Sequence, residues 1–242
     1  PPNVLVNYKP SVYSGFVEEL SAAGSYDVNK DNLAFTWITP KNISVSGKSG
    51  PTIKFLSPIV NSTQKVEFTL LVSDGSSTQS KVIPVEILAY NTNLDVAEIL
   101  NIEASDFQDP YLPYNVIDGN IGTMWAAYGY DQWLIAKLKD PFSVQHIKLA
   151  FQTDRSRESF FDILGSKDSI IWEPILTKMA SCNFSSDLQV FEFPKAKSSQ
   201  EFNFIKIIGR GNSSDEWNYI SELRIYGVKH NDQKDYKNQD VK

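Results

Sequence analysis

"FNFIKIIGRGNSSDEWNYISELRIYG" (residues 202–227) holds two runs of β-branched and aromatic residues, Phe202–Gly209 and Ile220–Gly227, separated by a cluster of turn formers. Runs of this kind, bounded by Gly, Asn, Ser and Asp, predict strands joined by loops. The same texture recurs upstream in "WLIAKL" (133–138), "VQHIKLAFQ" (144–152), "SFFDILGS" (159–166) and "LQVFEFP" (188–194). Turn residues recur between these runs, which predicts an antiparallel sandwich or jelly roll over residues 93–228.

Residues 1–92 repeat the pattern on a smaller scale. "NLAFTWI" (32–38), "VEFTLLVSD" (66–74) and "KVIPVEILAY" (81–90) predict a compact immunoglobulin-like sandwich. Pro84 cannot donate a ladder hydrogen bond, so it predicts an edge strand or a bulge. No stretch sustains a 3.6-residue apolar period, so the expected class is all-β. Polar residues at "NTNLD" (91–95) mark the boundary, and the charged, amide-rich end 229–242 predicts a flexible tail.

Composition narrows the function. No apolar run reaches the ~20 residues of a membrane span, and the net charge of −6 comes without any basic stripe, which argues against nucleic acid. Residues 1–92 carry seven Lys/Arg against seven Asp/Glu and residues 93–228 carry twelve against nineteen, so the acidity sits in the second unit. Cys182 is the only cysteine, which excludes an internal disulfide and suits a buried apolar site. The start at Pro1-Pro2 suggests a trimmed product. Asp27-x-Asn29-x-Asp31 has the beginning of an EF-hand loop, but Asn32 and Ile38 stand where that loop needs Gly and Glu, so a plain Asx turn is expected.

"SAAGSYDVNKDNLAFTW" (21–37) with "FTLLVSDGSSTQS" (68–80) resembles the polycystic-kidney-disease-type immunoglobulin-like repeat, which implies a spacer. Four segments of the second unit together resemble the discoidin, or coagulation factor 5/8 C-type, sandwich of the family 32 carbohydrate-binding modules. They are "NVIDGNIGTMWAA" (115–127), "DQWLIAKL" (131–138), "RESFFDILGSKDSIIWEPI" (157–175) and "FIKIIGRGNSSDEWNYISELRIYG" (204–227). The resemblance implies a structural calcium ion held by Asn115, Asp118, Asn120, Thr123, Ser221 and Glu222. Carboxylate, hydroxyl and carbonyl oxygens are what a hard cation takes, and Gly119 and Gly122 let the loop close.

The resemblance also implies non-catalytic binding of a polysaccharide by loops near that ion. Aromatic faces stack on sugar C–H surfaces, and guanidinium or amide groups bridge hydroxyls and carboxylates. The ligand residues expected on this ground are Arg157, Arg155, Asn212, Tyr128, Tyr130, Trp217 and Asn218. Tyr111 and Tyr114 are candidates to flank the ligand, Trp125 is either a semi-buried platform or a ligand contact, and strand alternation is expected to bury Trp133. Two arginines in one loop suit an acidic polymer, and with charges screened over ~8 Å local charge outweighs the acidity of the unit. The module is expected to be monomeric, not inserted in a membrane, and secreted or held at a bacterial surface or in the periplasm. The competing readings are a lyase or glycosidase fragment, for which neither His146 nor His230 supplies a catalytic group, and an adhesion protein that binds protein or lipid.

Overall fold

The computed structural model describes residues 1–152 and 156–229. Seven strands build the N-terminal unit: β1 (Ser11–Tyr13), β2 (Val17–Ser21), β3 (Ala34–Ile38), β4 (Val45–Ser46), β5 (Thr52–Leu56), β6 (Gln64–Ser73) and β7 (Thr78–Leu88). They form two sheets, ordered β1-β7-β6-β3 and β2-β5-β4. Alternation turns Phe68, Leu70 and Val72 of β6 and Ile83, Val85 and Ile87 of β7 inward, onto Leu20, Ile53 and Phe55. Trp37 joins this core and its indole N–H donates to Gly50 O at 3.0 Å, so the ring is buried with its one polar atom satisfied. β1 pairs only with residues 86–88, which leaves Pro84 on the open side of β7, where a missing N–H costs nothing.

The second unit contains β8 (Asp95–Val96), β9 (Ile99–Ala104), β10 (Trp125–Tyr128), β11 (Trp133–Ala150), β12 (Ser159–Ser166), β13 (Glu173–Ala180), β14 (Gln189–Glu192), β15 (Glu201–Asn212), β16 (Trp217–Ile220) and β17 (Glu222–Lys229). It also carries a 3₁₀ turn, Pro113–Ile117, and an α turn, Lys195–Ser198; among the described residues no helix is long and apolar enough to cross a membrane. The two strands expected at 133–138 and 144–152 are one. β11 runs through Asp140-Pro141, its first half paired with β9 and β15 and its second with β14 and β17. A register shift between Lys137 and Phe142 absorbs the proline and bends the strand from one set of partners to the other. Both halves feed one core, with Leu134 and Ala136 from the first and Ile147 and Leu149 from the second packed with Trp125, Phe151, Phe161 and Ile225.

Two expectations change here. Trp133 is half-buried on the outer face, because Leu134, Ala136 and Leu138 take the inward phase of the strand; the Lys206 amine lies 4.9 Å from its ring centroid. Lys229, assigned to the tail, is the last residue of β17 and pairs with Asp140 at 2.7 Å; residues 230–242 lie outside the described ones. Cys182 is a buried free thiol, and burial pushes its pKa up.

His146 links the units. It is fully buried on β11, stacks on Tyr226 at 4.7 Å and meets Tyr90 edge-on at 5.1 Å. Neither ring nitrogen has a hydrogen-bond partner. Burial first, and the Lys148 charge second, push its pKa down from 6.5 to about 4. The unfolded chain therefore binds this proton more tightly, and the stability tied to neutral His146 is complete above pH 6.5 and is lost as pH falls through about 4. A melting curve recorded across that window is expected to fall steeply for the parent and less for His146→Phe; parallel curves would show that this ring does not set the acid limit.

Candidate functional site

The site begins at the short ladder of β10 and β16. Its register pairs Trp125 with Ile220, Ala126 with Tyr219, Ala127 with Asn218 and Tyr128 with Trp217. With a period of two, Trp125, Ala127, Asn218 and Ile220 face inward, while Tyr128, Trp217 and Tyr219 face outward. The outward rings form a ridge. Tyr128 meets Trp217 edge-on at 5.3 Å, and Trp217 lies nearly parallel to Tyr219 at 5.8 Å. The guanidinium of Arg157 caps the far end, 4.6 Å above the Tyr219 ring. Tyr128 is 56% exposed and Tyr130, in the loop that follows, 61%.

The expected ligand residues therefore separate. Tyr128 and Trp217 are brought together at the surface, and Tyr130 is exposed beside Gly211. Arg157 is adjacent but only 6% exposed, held over Tyr219 and 3.5 Å from Asp215 Oδ2, so it is a covered guanidinium at the end of the ridge rather than an open fork. Asn218 is corrected from ligand contact to internal brace. Its amide nitrogen donates to Gly129 O at 2.8 Å, its oxygen accepts from Gly211 N at 2.9 Å, and it lies so close beneath β15 that a Cβ on Gly209 would stand 2.1 Å from it. Asn212 shapes its loop: its oxygen accepts from the amides of Ser214 and Asp215, and its nitrogen donates to Trp217 O at 2.9 Å. Arg155 lies outside the described residues. Trp125, expected as a semi-buried platform or a ligand contact, is fully buried, and its indole N–H donates to Asp106 O at 2.9 Å. Tyr114 is exposed and donates to Asn101 Oδ1; Tyr111 is half-buried.

Tyr219 is not singled out by the sequence reading. The signal was the Trp-x-Tyr spacing, which places both rings on one face as soon as residues 217–220 are a strand rather than a loop. Arg210, beside the ridge, is fully engaged, with Nε and Nη2 donating to Asp162 Oδ2 at 2.8 and 2.6 Å and Nη1 paired with Asp131.

The expected metal ligands flank the other end of the ladder. The 3₁₀ turn carrying Asn115 packs on β17 and leads into a closed loop. Asp118 Oδ1 accepts from Asn120 N at 2.8 Å, and the Thr123 hydroxyl lies 2.7 Å from Asp118 Oδ2 and 2.8 Å from Asn120 O. Gly119 sits at φ +78°, a left-handed position that favours glycine. Ser221 and Glu222 follow β16 directly. Glu222 is 3% exposed; its Oε1 accepts from Arg224 Nε at 3.0 Å, while Oε2 is buried with no hydrogen-bond partner. A buried, unpartnered carboxylate oxygen is costly, and it and the carboxylate, hydroxyl and carbonyl oxygens of the 118–123 loop are the donor types that a hard divalent cation takes.

The profile of the F5/8 type C domain family matches residues 101–223. Among solved structures, the chain is similar to the CBM32 of AlyQ in complex with 4,5-unsaturated mannuronic acid, at 31% identity and a TM-score of 0.50, over 54% of this chain and 97% of that one. It is also similar to truncated AlyQ with CBM32 and alginate lyase domains, at 30% identity and a TM-score of 0.51, over 57% of this chain and 34% of that one, so it spans about a third of the longer protein. No curated protein matches.

Proposed function

The chain belongs to the F5/8 type C domain family, and on that premise we propose that it is a non-catalytic module that captures a uronic-acid-containing polysaccharide on the ridge of Tyr128, Trp217 and Tyr219. The carrying observation is the ridge itself, three outward rings in a row with a guanidinium at one end. Stacked rings take the C–H face of successive sugars, and the Arg157 charge favours a carboxylate. The bound sugar of the similar AlyQ module, an unsaturated mannuronic acid, carries such a group.

Calcium at Asn115, Asp118, Asn120, Thr123, Ser221 and Glu222 is part of this proposal. When bound, the ion would supply charge neutralisation for Glu222 and a cross-link between the loop and β17. The residues then do the rest: Trp125 and Ile220 anchor the ladder beside the ion, and three residues further out, about 10 Å along the strand, Tyr128 and Trp217 are held in register. The N-terminal sandwich serves as a spacer, and the protein acts as a monomer, secreted or at a bacterial surface, within a glycan-degrading system.

An enzymatic reading requires a free acid and base. Of the carboxylates near the ridge, Asp131 and Asp162 are instead committed to Arg210, and Asp215 lies 3.5 Å from Arg157. Incubation with polyuronates that released unsaturated or reducing ends would overturn the non-catalytic reading.

Trp217→Ala is expected to weaken binding of a mannuronate oligosaccharide about ten-fold with little change in melting temperature, since the ring is only partly buried. Affinity of the parent is expected to fall only modestly with added salt, because attraction between a carboxylate and the nearly buried Arg157 is screened less than one between exposed charges. Calorimetric titration checks both. Equal affinity in parent and variant would remove the ridge from the site.

A further inference from the structure

A second cluster of oxygens lies far from the ridge, in the N-terminal sandwich. Asp27, Asp31 and Asp74 each place one carboxylate oxygen within 4.8 Å of the other two. That span is about the diameter of a shell of oxygens 2.3–2.6 Å from one ion. Asp27 and Asp31 come from the turn after Tyr26, and Asp74 from the β6–β7 hairpin, so tertiary structure alone joins them.

The three carboxylates are not equivalent. Asp74 is held by its hairpin: Oδ1 accepts from Ser76 N at 2.8 Å and Ser77 N at 2.6 Å, and Oδ2 from Ser77 Oγ at 2.9 Å. These bonds, the one from Ser77 N foremost, keep its carboxyl well below the usual range. Asp31 is exposed and free to swing. Asp27 is buried, with no side-chain exposure. Its Oδ1 accepts from Asn29 N at 2.7 Å, but its Oδ2 is buried without any hydrogen bond. An ionised oxygen in that position, facing two further acids and without a hydrogen bond, needs a positive charge beside it.

The terminal amine of Pro1 stands 3.5 Å from Asp27 Oδ2 and 3.6 Å from Asp74 Oδ2. It is therefore a positive charge on this cluster, from a residue whose side chain is 80% exposed. With any residue placed before Pro1, that nitrogen is a tertiary amide with neither proton nor charge, and the three acids face one another without it.

We propose that Asp27, Asp31 and Asp74 form a divalent-cation site, of calcium type, that ties the Asp27–Asp31 turn to the β6–β7 hairpin of the N-terminal sandwich. The all-oxygen donor set and the exposed third carboxylate, which leaves room for water ligands, favour calcium over a softer metal. The site is independent of the ridge and of the Glu222 loop.

The test is a calcium chloride titration of the chelator-stripped full chain, carrying a short extension before Pro1, followed through the backbone amide resonances of Asn29, Ser76 and Ser77. These amides donate to the carboxylates concerned. Saturable shifts are expected in the parent and unchanged in Glu222→Gln, which keeps this readout separate from the other loop. Asp31→Asn, at an exposed position where folding is not at risk, is expected to weaken the transition at least about ten-fold. The proposal fails if those amides do not respond up to about 10 mM calcium, roughly ten times the weakest dissociation constants of extracellular sites, or if Asp31→Asn titrates as the parent does.

Discussion

Trp125→Ala is expected to lower the unfolding free energy of the C-terminal sandwich by about 3–5 kcal/mol, the usual cost of removing a large buried aromatic. The ring is fully buried among the core residues of β11, β12 and β17, and its N–H satisfies Asp106 O. Its removal leaves a cavity and an unpaired carbonyl together. Against a typical total of about 5–15 kcal/mol for a domain, the loss brings the fold near its limit. Trp217→Ala, at the other end of the same ladder, is expected to spare stability and reduce binding. Urea unfolding of the two variants checks the contrast, and a loss below about 1 kcal/mol for Trp125→Ala would mean that the core closes without the indole.

Glu222→Gln is expected to act in opposite directions with and without calcium. In chelator, the amide removes the negative charge from a side chain whose Oε2 is buried without a partner while its oxygen keeps the contact with Arg224, so protection of β17 amides from hydrogen exchange should hold or rise. In calcium at about a hundred times its dissociation constant, the parent gains about 2.7 kcal/mol, and the variant should gain little of it. Exchange at β17 reports on this loop and not on the Asp27 cluster. Equal calcium-induced protection in parent and variant would remove Glu222 from the ligand set.

Much of the strand content was legible from local pattern: β12 falls on "SFFDILGS", β15 covers the run 202–209, and β6, β7 and β17 overlap the runs read as strands with ends displaced by one to three residues. The four-residue strands β10 and β16 were not. Surrounded by Gly, Asn, Ser and Asp, "WAAY" and "WNYI" read as loops, because what makes them strands is their pairing with each other, residues Ala127 and Asn218 being 91 positions apart. That pairing also sets the phase. It turns Trp217 and Tyr219 outward and Asn218 inward, and no local rule distinguishes these choices.

By itself the sequence determined the all-β class and the presence of a Gly-rich oxygen loop at 118–123, since turn chemistry and two-residue alternation are properties of neighbouring residues. Tertiary structure decided which side of each strand meets water, how β11 passes between two sets of partners, that Arg157 lies over a ring, and that Asp74 joins Asp27 and Asp31. Each of these is a contact between segments distant in the chain, and burial, the physical quantity that makes a tryptophan core or platform and a carboxylate paired or orphaned, exists only after those segments have met.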